Sequence, residues 1–271
     1  MPELPEVETV RRDLASSVVG ARVEGVTVTG ARSIRRQRPG EFAAALTGAS
    51  FERVGRWGKY LLIGLDSGQV LVAHLRMSGQ LLIAPPGDAA LKRHTHVRVR
   101  FSDGRELRFV DPRTFGELFV TSAELPELST LGVDALGIDL GTLTALLRAR
   151  RARLKPLLLD QRATAGIGNI YSDEILWAAR LRWYRRADKL RPVEVGRLHD
   201  AMTTVLNDAI TLRGSSLGDE QYVDLAGRPG GYQARHAVYA REGMPCPRCG
   251  RPIERTVVAQ RSHFWCRACQ R

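Results

Sequence analysis

The sequence predicts an α+β protein: a leading helix, a mostly antiparallel β region, a helical second half and a closing hairpin that carries cysteines. Three observations carry that expectation. Apolar residues recur at helical spacing over residues 5–19, strand-like alternation with tight turns runs to about residue 120, and the texture turns helical after a polar stretch at 121–141. All four cysteines fall within the last 26 residues. A length of 271 residues suggests two domains at about 150 residues each. Apolar residues at 44% and charged residues at 26% exclude a disordered or collagen-like chain. No apolar run approaches the roughly 20 residues of a membrane-spanning helix, and the opening Met1-Pro2-Glu3-Leu4-Pro5-Glu6 has no signal-peptide pattern, so a cytoplasmic protein is expected.

In the first helix, Pro5 occupies a first-turn position where proline is tolerated, and Val7, Val10, Leu14 and Val18 share a face. Residues 60–72 alternate or run apolar around Asp66-Ser67-Gly68. Residues 97–110 read as a hairpin, with Val97, Val99 and Phe101 on one face, a Ser102-Asp103-Gly104 turn, then Leu107 and Phe109. Residues 121–141 lose the alternation and read as a linker. Leu143, Leu146 and Leu147 mark one helix, and Pro156 with Leu157 and Leu158 starts another. Ile175, Leu176 and Ala179 mark a third, with Ser172 as its expected N-cap ahead of Asp173-Glu174. Pro192 opens a fourth that runs through Val195, Leu198, Met202, Val205, Leu206 and Ala209. Residues 214–235, rich in glycine and polar side chains, are expected to form a mobile loop. There are no internal repeats and no low-complexity tracts.

Charge points to a class of partner. Forty-one basic residues against 29 acidic ones give a net charge of +12, with a sequence pI near 10.3. Only Lys59, Lys92, Lys155 and Lys189 are lysines; the other 37 are arginines. A GC-rich genome would also favour arginine, but acidic residues could have balanced the charge and do not. Nucleic acid, whose phosphates release counterions to such a chain, is the first partner to expect.

The cysteines read Cys246-Pro-Arg-Cys249 and Cys266-Arg-Ala-Cys269, separated by 16 residues. Each pair supplies two thiolates from one tight turn, and a hairpin between them joins the pairs into a four-thiolate zinc site. Two disulfides are the alternative, disfavoured in a chain without a secretion signal. Four thiolates leave no open coordination position, so the one zinc ion expected is structural. His94, His96, His199, His236 and His263 show no ligand spacing and read as ordinary histidines.

The N-terminus offers a nucleophile. Aminopeptidases remove Met1 ahead of a small residue, which would leave Pro2 with a free secondary amine of pKa about 7.7–8.0 against about 10.4 for lysine. Such an amine attacking an aldehyde-like carbon gives a cationic iminium, and Glu3 beside it is a candidate proton shuttle. Read from composition alone, Pro2 and Glu3 are more simply an exposed leader.

Motifs along the chain resolve the choice. PELPEVETVRR at 2–12, GRWGKYLL at 55–62, HLRMSGQL at 74–81, DPRTFGEL at 111–118, LLLDQRATAGIGNIYSDEILW at 157–177 and the cysteine hairpin occur in order. Together they resemble the bacterial formamidopyrimidine-DNA glycosylase family, repair enzymes that excise oxidised purines such as 8-oxoguanine from DNA. The resemblance spans the chain. It implies an N-terminal β-sandwich catalytic domain (1–125), a linker (126–141), a helix–two-turn–helix DNA-binding domain (142–235) and a zinc finger (236–271). It implies duplex DNA lying across a basic cleft, a monomer, no membrane, and no metal or nucleotide cofactor in the chemistry.

By the same resemblance Pro2 attacks C1′ of the damaged nucleotide and forms a Schiff base, with Glu3 as acid/base and Glu6 assisting, and β,δ-elimination follows. Lys59 is implied on a phosphate beside the lesion and Lys155 near the lesion. His74, which opens the HLRMSG segment, is a candidate donor to a phosphate or a structural residue. Met77, Arg113 and Phe115, which by themselves could be core residues, are implied to fill the stack after the base is extruded. Gly168 and Asn169 are implied to bind phosphate at a helix start. Arg261, at an expected hairpin tip of Gln260-Arg261-Ser262, is implied to grip phosphates. Between 241 and 271 seven arginines face two glutamates, so the finger stays basic even with a zinc tetrathiolate. His263-Phe264-Trp265-Cys266-Arg267 departs from the family's usual phrasing, which predicts altered hairpin packing with Arg261 kept. Two rivals share these features: the endonuclease VIII branch, which takes oxidised pyrimidines, and a non-catalytic zinc-dependent binder of damaged DNA. The Leu4-Pro5-Glu6-Val7 opening and the Met77/Arg113/Phe115 set favour the purine branch.

Overall fold

A computed structural model describes residues 2–218 and 221–271. Met1, whose removal the expected nucleophile requires, and Asp219 and Glu220, inside the expected loop, lie outside the described residues. The chain forms two compact units, Met1–Ser129 with Arg213–Gly231, and Thr130–Leu212 with Tyr232–Arg271.

The first unit begins with α1 (Leu4–Val18), which buries Val7, Val10, Leu14 and Val18 as its spacing requires. Two four-stranded antiparallel sheets follow. One has the order β1 (Val23–Val28), β6 (Thr95–Phe101), β7 (Glu106–Val110), β5 (Gln80–Ala84); the other is β2 (Phe51–Trp57), β3 (Tyr60–Leu65), β4 (Val70–His74), β8 (Glu117–Thr121). Their inner faces share one core. Phe51, Leu61, Ile63 and Leu71 meet Val97, Phe101, Leu107 and Phe109, so the sheets are the layers of a sandwich. Phe51 and Phe101 meet edge to face at 5.4 Å. A helix absent from the sequence reading, α2 (Pro39–Leu46), adds Phe42 and Leu46 to that core. Its signals were present: proline at the first position, and Glu41, whose carboxylate accepts the Arg38 N–H at 3.0 Å.

Residues 213–231, grouped with the helices in the sequence reading, pack here instead. Tyr222 and Leu225 join the sandwich core, and Ile83 donates its N–H to the Leu225 carbonyl at 3.0 Å. Arg213 pairs with Asp13 of α1 and with Asp224 at 2.7 Å. The described part of this strap is a loop, as its composition signals, buried at 214–216, Tyr222, Asp224, Leu225 and Gly230 and held there by polar contacts.

The second unit contains α3 (Leu140–Arg148), α4 (Leu154–Leu159), α5 (Asn169–Ala178) and α6 (Pro192–Thr211). Asp139 caps α3 by accepting the Thr142 N–H at 2.9 Å, so a helix already occupies the end of the stretch read as a linker. A short parallel pair, β9 (Val133–Asp134) with β10 (Thr164–Ala165), lies in the same region. Ser172 is not an N-cap. It lies inside α5, whose N-cap is Gly168, and its hydroxyl donates to the Asn169 carbonyl at 3.2 Å. The acidic pair after Ser172 suggested a helix start, but both carboxylates are buried anchors. The chain closes in the antiparallel hairpin β11 (Glu254–Val258) and β12 (Arg261–Trp265). Its turn is Ala259-Gln260, both at positive φ (48° and 60°), so Arg261 is the first residue of β12 and not the centre of the tip. Among the described residues no helix is long and apolar enough to cross a membrane.

Candidate active site

In the first unit, Pro2 and Glu3 are buried at the start of α1. Glu6, one turn on and 1% exposed, holds this end in place. Its Oε2 accepts the Glu3 N–H and its Oε1 the Ser215 N–H, both at 2.8 Å. One carboxylate therefore ties the chain's first turn to the 213–231 strap. Gly214 makes the approach possible: its φ is 77°, and a Cβ there would lie 2.7 Å from Glu6 Oε1. Tyr222 adds a bond from its hydroxyl to the Arg213 carbonyl at 3.0 Å.

Lys59 sits in the two-residue turn from β2 to β3, where Gly58 takes φ 56°. Its side chain is largely buried. Arg56 carries the link back to α1, donating from Nε to Glu8 at 3.1 Å and from Nη1 to the Gly58 carbonyl at 2.7 Å. Burial works to raise the Glu8 pKa, but the guanidinium groups of Arg11, Arg12 and Arg56 win and lower it. Glu8 is thus a carboxylate that fixes the lysine-bearing turn to the helix carrying Pro2.

His74 closes β4. Burial, with the charges of Arg76 and Lys59, pushes its pKa down to about 3. The Arg76 N–H donates to its Nδ1 at 3.0 Å, so the neutral ring carries its proton on Nε2. His74 can offer a phosphate one N–H donor and no charge.

Met77, Arg113 and Phe115 lie on two loops that the structure brings together. Met77 is 38% exposed and Phe115 50% exposed, which is not how core residues sit. The Arg113 guanidinium lies 5.1 Å above the Phe115 ring. Asp111, fully buried, joins the loops: Oδ1 accepts from Ser78 Oγ at 2.5 Å and from the Arg113 N–H at 3.2 Å, and Oδ2 accepts the Gly116 N–H at 2.7 Å. Arg76 and Thr114 take φ of 52° and 54°, conformations that side-chain-bearing residues adopt at a cost. Asp111, Ser78, Glu8 and Arg56 were missed in the sequence. An aspartate two residues before a loop N–H was the available signal for Asp111.

In the second unit, Asn169 is the first residue of α5, after Gly168, where unsatisfied helix N–H groups favour an anion. Its Nδ2 donates to the Ser262 carbonyl at 3.0 Å. Arg261, exposed, precedes that serine on β12. Lys155 does not fit a direct DNA contact: its side chain is 0% exposed, its stem runs into the unit, and its ammonium is taken up by the Asp173 carboxylate. His263, read as an ordinary histidine, is fully buried against the same carboxylate, Nδ1 to Oδ1 at 2.6 Å. Glu174 is also an anchor, receiving the N–H groups of Ala237, Val238 and Tyr239 at 2.8–3.0 Å.

The four cysteine sulfurs lie within 4.8 Å of one another, with Cys246–Cys269 at 3.9 Å and Cys249–Cys266 at 3.5 Å. A tetrahedral zinc with bonds of about 2.3 Å spaces its sulfurs about 3.8 Å apart, whereas a disulfide needs about 2.05 Å. The donors fit one structural zinc. Burial acts to raise the Cys246 pKa, yet Trp177 and the Arg248 and Cys249 amides bring it down to about 6, toward the thiolate that zinc binds.

Three family domains match the chain: the formamidopyrimidine-DNA glycosylase N-terminal domain over residues 1–118, its H2TH domain over 131–221, and the zinc finger found in FPG and IleRS over 243–271. A formamidopyrimidine-DNA glycosylase of Chloroflexus aurantiacus is 44% identical over 274 residues, covering 100% of this chain and 98% of the relative. The crystal structure of the MutM (Fpg) protein from Thermus thermophilus superposes with a TM-score of 0.87 at 43% identity, covering 99% of this chain and 98% of that one. Lactococcus lactis Fpg (MutM), solved with FAPY-dG-containing DNA, gives 0.88 at 33% identity and 99% coverage of both chains.

Proposed function

The chain belongs to the formamidopyrimidine-DNA glycosylase family, and from that premise we propose how its own residues divide the work. The protein is a DNA glycosylase with AP lyase activity that removes oxidised purines, 8-oxoguanine and formamidopyrimidines, from duplex DNA. Its relatives are bacterial, and its place of action is the nucleoid, where that substrate is.

Once Met1 is removed, about a tenth of the Pro2 amine is unprotonated at neutral pH, against fewer than about one in a thousand unperturbed lysines. Met77 and Phe115 wedge into the duplex while Arg113 faces the base left without a partner. The extruded nucleotide presents C1′ to Pro2. The nitrogen lone pair attacks C1′, the N-glycosidic bond breaks, and the base leaves with the bonding pair and takes a proton. Glu3 donates a proton to O4′ as the sugar ring opens, leaving a C1′=N⁺ iminium. Loss of a C2′ proton then sends electrons toward the iminium and expels the 3′ phosphate. A second deprotonation expels the 5′ phosphate, and water releases the sugar fragment from Pro2. Lys59, His74, Asn169 and Arg261 hold the phosphates around the lesion, Lys59 and Arg261 by charge and His74 as a neutral donor. Zinc supplies rigidity to the hairpin that carries Arg261.

The observation that carries this reading is Pro2-Glu3 buried at the head of α1 and tied through Glu6 to Ser215. Borohydride reduction of the protein on an 8-oxoguanine:cytosine duplex tests it. A covalent adduct is expected, on a chain whose N-terminal mass lacks methionine. Strand cleavage with Met1 retained, or with no trapped adduct, overturns it.

A further inference from the structure

The Asp173 carboxylate does more than fill a charge. Its Oδ1 meets the Lys155 ammonium and His263 Nδ1, and its Oδ2 accepts the Phe264 N–H at 2.8 Å. One turn earlier on α5, Asn169 Nδ2 holds the Ser262 carbonyl at 3.0 Å, and Lys155 Nζ reaches the same oxygen at 3.5 Å. Residue 263 is therefore fastened to α5 on both sides of its backbone and at its ring. The imidazole also stacks on Trp265 at 6.4 Å between centroids and meets the Trp183 ring edge-on at 6.1 Å.

The geometry has a consequence at the strand's exposed end. Residues 261 and 263 project from the same face of β12 because a strand alternates with period two. Four helical residues from Asn169 to Asp173 rise about 6 Å, and two strand residues from Arg261 to His263 span about 6.7 Å. Matching His263 to Asp173 therefore sets Arg261 level with Asn169, at the helix N-terminus. A slip of one residue would turn Arg261 to the opposite face.

We propose that His263, acting through Asp173 with Lys155 as counter-charge, is a positioning residue that keeps Arg261 and Asn169 in register as one phosphate clamp. It rests on the reading of Arg261 and Asn169 as phosphate contacts. It assigns a role to the one stretch of the finger whose sequence departs from the family's usual phrasing, and it places Lys155 behind the DNA surface as the charge that holds the carboxylate.

The test is a double-mutant cycle on the full-length, zinc-loaded protein, reading affinity for a duplex containing a reduced abasic site across a salt series. Asparagine places an amide N–H where histidine has Nδ1, while glutamine places it where histidine has Nε2. Expected are R261A weakening binding about tenfold and lowering the salt slope by about 0.9, the loss of one phosphate contact. H263Q and H263L should each weaken binding close to tenfold, H263N should stay within about threefold of wild type, and H263Q in the R261A background should add less than twofold. If R261A binds like wild type, the phosphate reading itself fails. If R261A loses affinity while H263Q and H263L do not, or their losses multiply with that of R261A, the positioning role is overturned. Zinc content measured on each variant keeps the comparison to folded protein; should H263L not fold, H263N against H263Q carries the same decision.

Discussion

Replacing Asp111 by alanine should separate base removal from strand cleavage. The carboxylate receives three donors, Ser78 Oγ, the Gly116 N–H and the Arg113 N–H. Ser78 and Gly116 are buried, so alanine would leave two donors without a partner, at about 1–3 kcal/mol each. The Arg113 amide belongs to an exposed residue and recovers water. The sum is near 4 kcal/mol, and the two loops, with Arg76 and Thr114 at positive φ, loosen and recover part of it. A residual of about 3 kcal/mol corresponds to roughly a hundredfold in rate. It should fall on extrusion, because Met77, Arg113 and Phe115 ride on these loops. The assay is single-turnover excision of 8-oxoguanine opposite cytosine, run beside cleavage of a duplex with a preformed abasic site, which has no base to extrude. D111A should lose about a hundredfold in the first and less than tenfold in the second. D111N, which keeps one oxygen for an amide, should fall between. Equal losses in both assays, or none in excision, would refute the argument.

Two further outcomes follow from the site. His74 is held neutral, with its pKa down at about 3, while an unfolded histidine titrates near 6.5. The unfolded state thus takes up a proton first as pH falls, and stability is lost from about pH 6.5 downward, by about 2 kcal/mol at pH 5, levelling off below pH 3. Thermal unfolding at pH 7.5 and 5.0 should show the wild type losing more than H74N by about that amount, and parallel losses would count against it. Zinc removal, by chelator or by C249S, should release one equivalent of metal and loosen the small core of Val238, Cys246, Ile253 and Cys266. DNA affinity should then drop at least tenfold while the β-sheet circular dichroism persists; tight binding by the metal-free protein would contradict a structural zinc that presents Arg261.

What could be read from the sequence were the features that repeat or punctuate. The periodicity of Val7, Val10, Leu14 and Val18 marked α1, the Ser102-Asp103-Gly104 turn marked the β6–β7 hairpin, and cysteine spacing marked the metal. What escaped were polar residues whose partners are distant in sequence. Asp173 and Glu174 look like helix-start acids until a lysine 18 positions earlier and a histidine 90 positions later are found against Asp173. The family resemblance places Lys155 near the lesion, and only burial shows that its charge is already paired. The segment at 213–231 is a loop, as its composition signals, but its hydrogen bonds to Glu6 and its Tyr222 and Leu225 belong to a core laid down about two hundred residues earlier, which composition alone does not show.

That strap gives the first unit a split chain, Met1–Ser129 completed by Arg213–Gly231. A ribosome delivers the sandwich strands early, and domains begin to fold as they emerge at about 5–20 residues per second. The Ser215 amide that latches Glu6 does not exist until the intervening helices have been translated. The nascent polypeptide thus spends several seconds with a sandwich but without its clasp, and the head of α1 acquires its finished surroundings only when synthesis is nearly over.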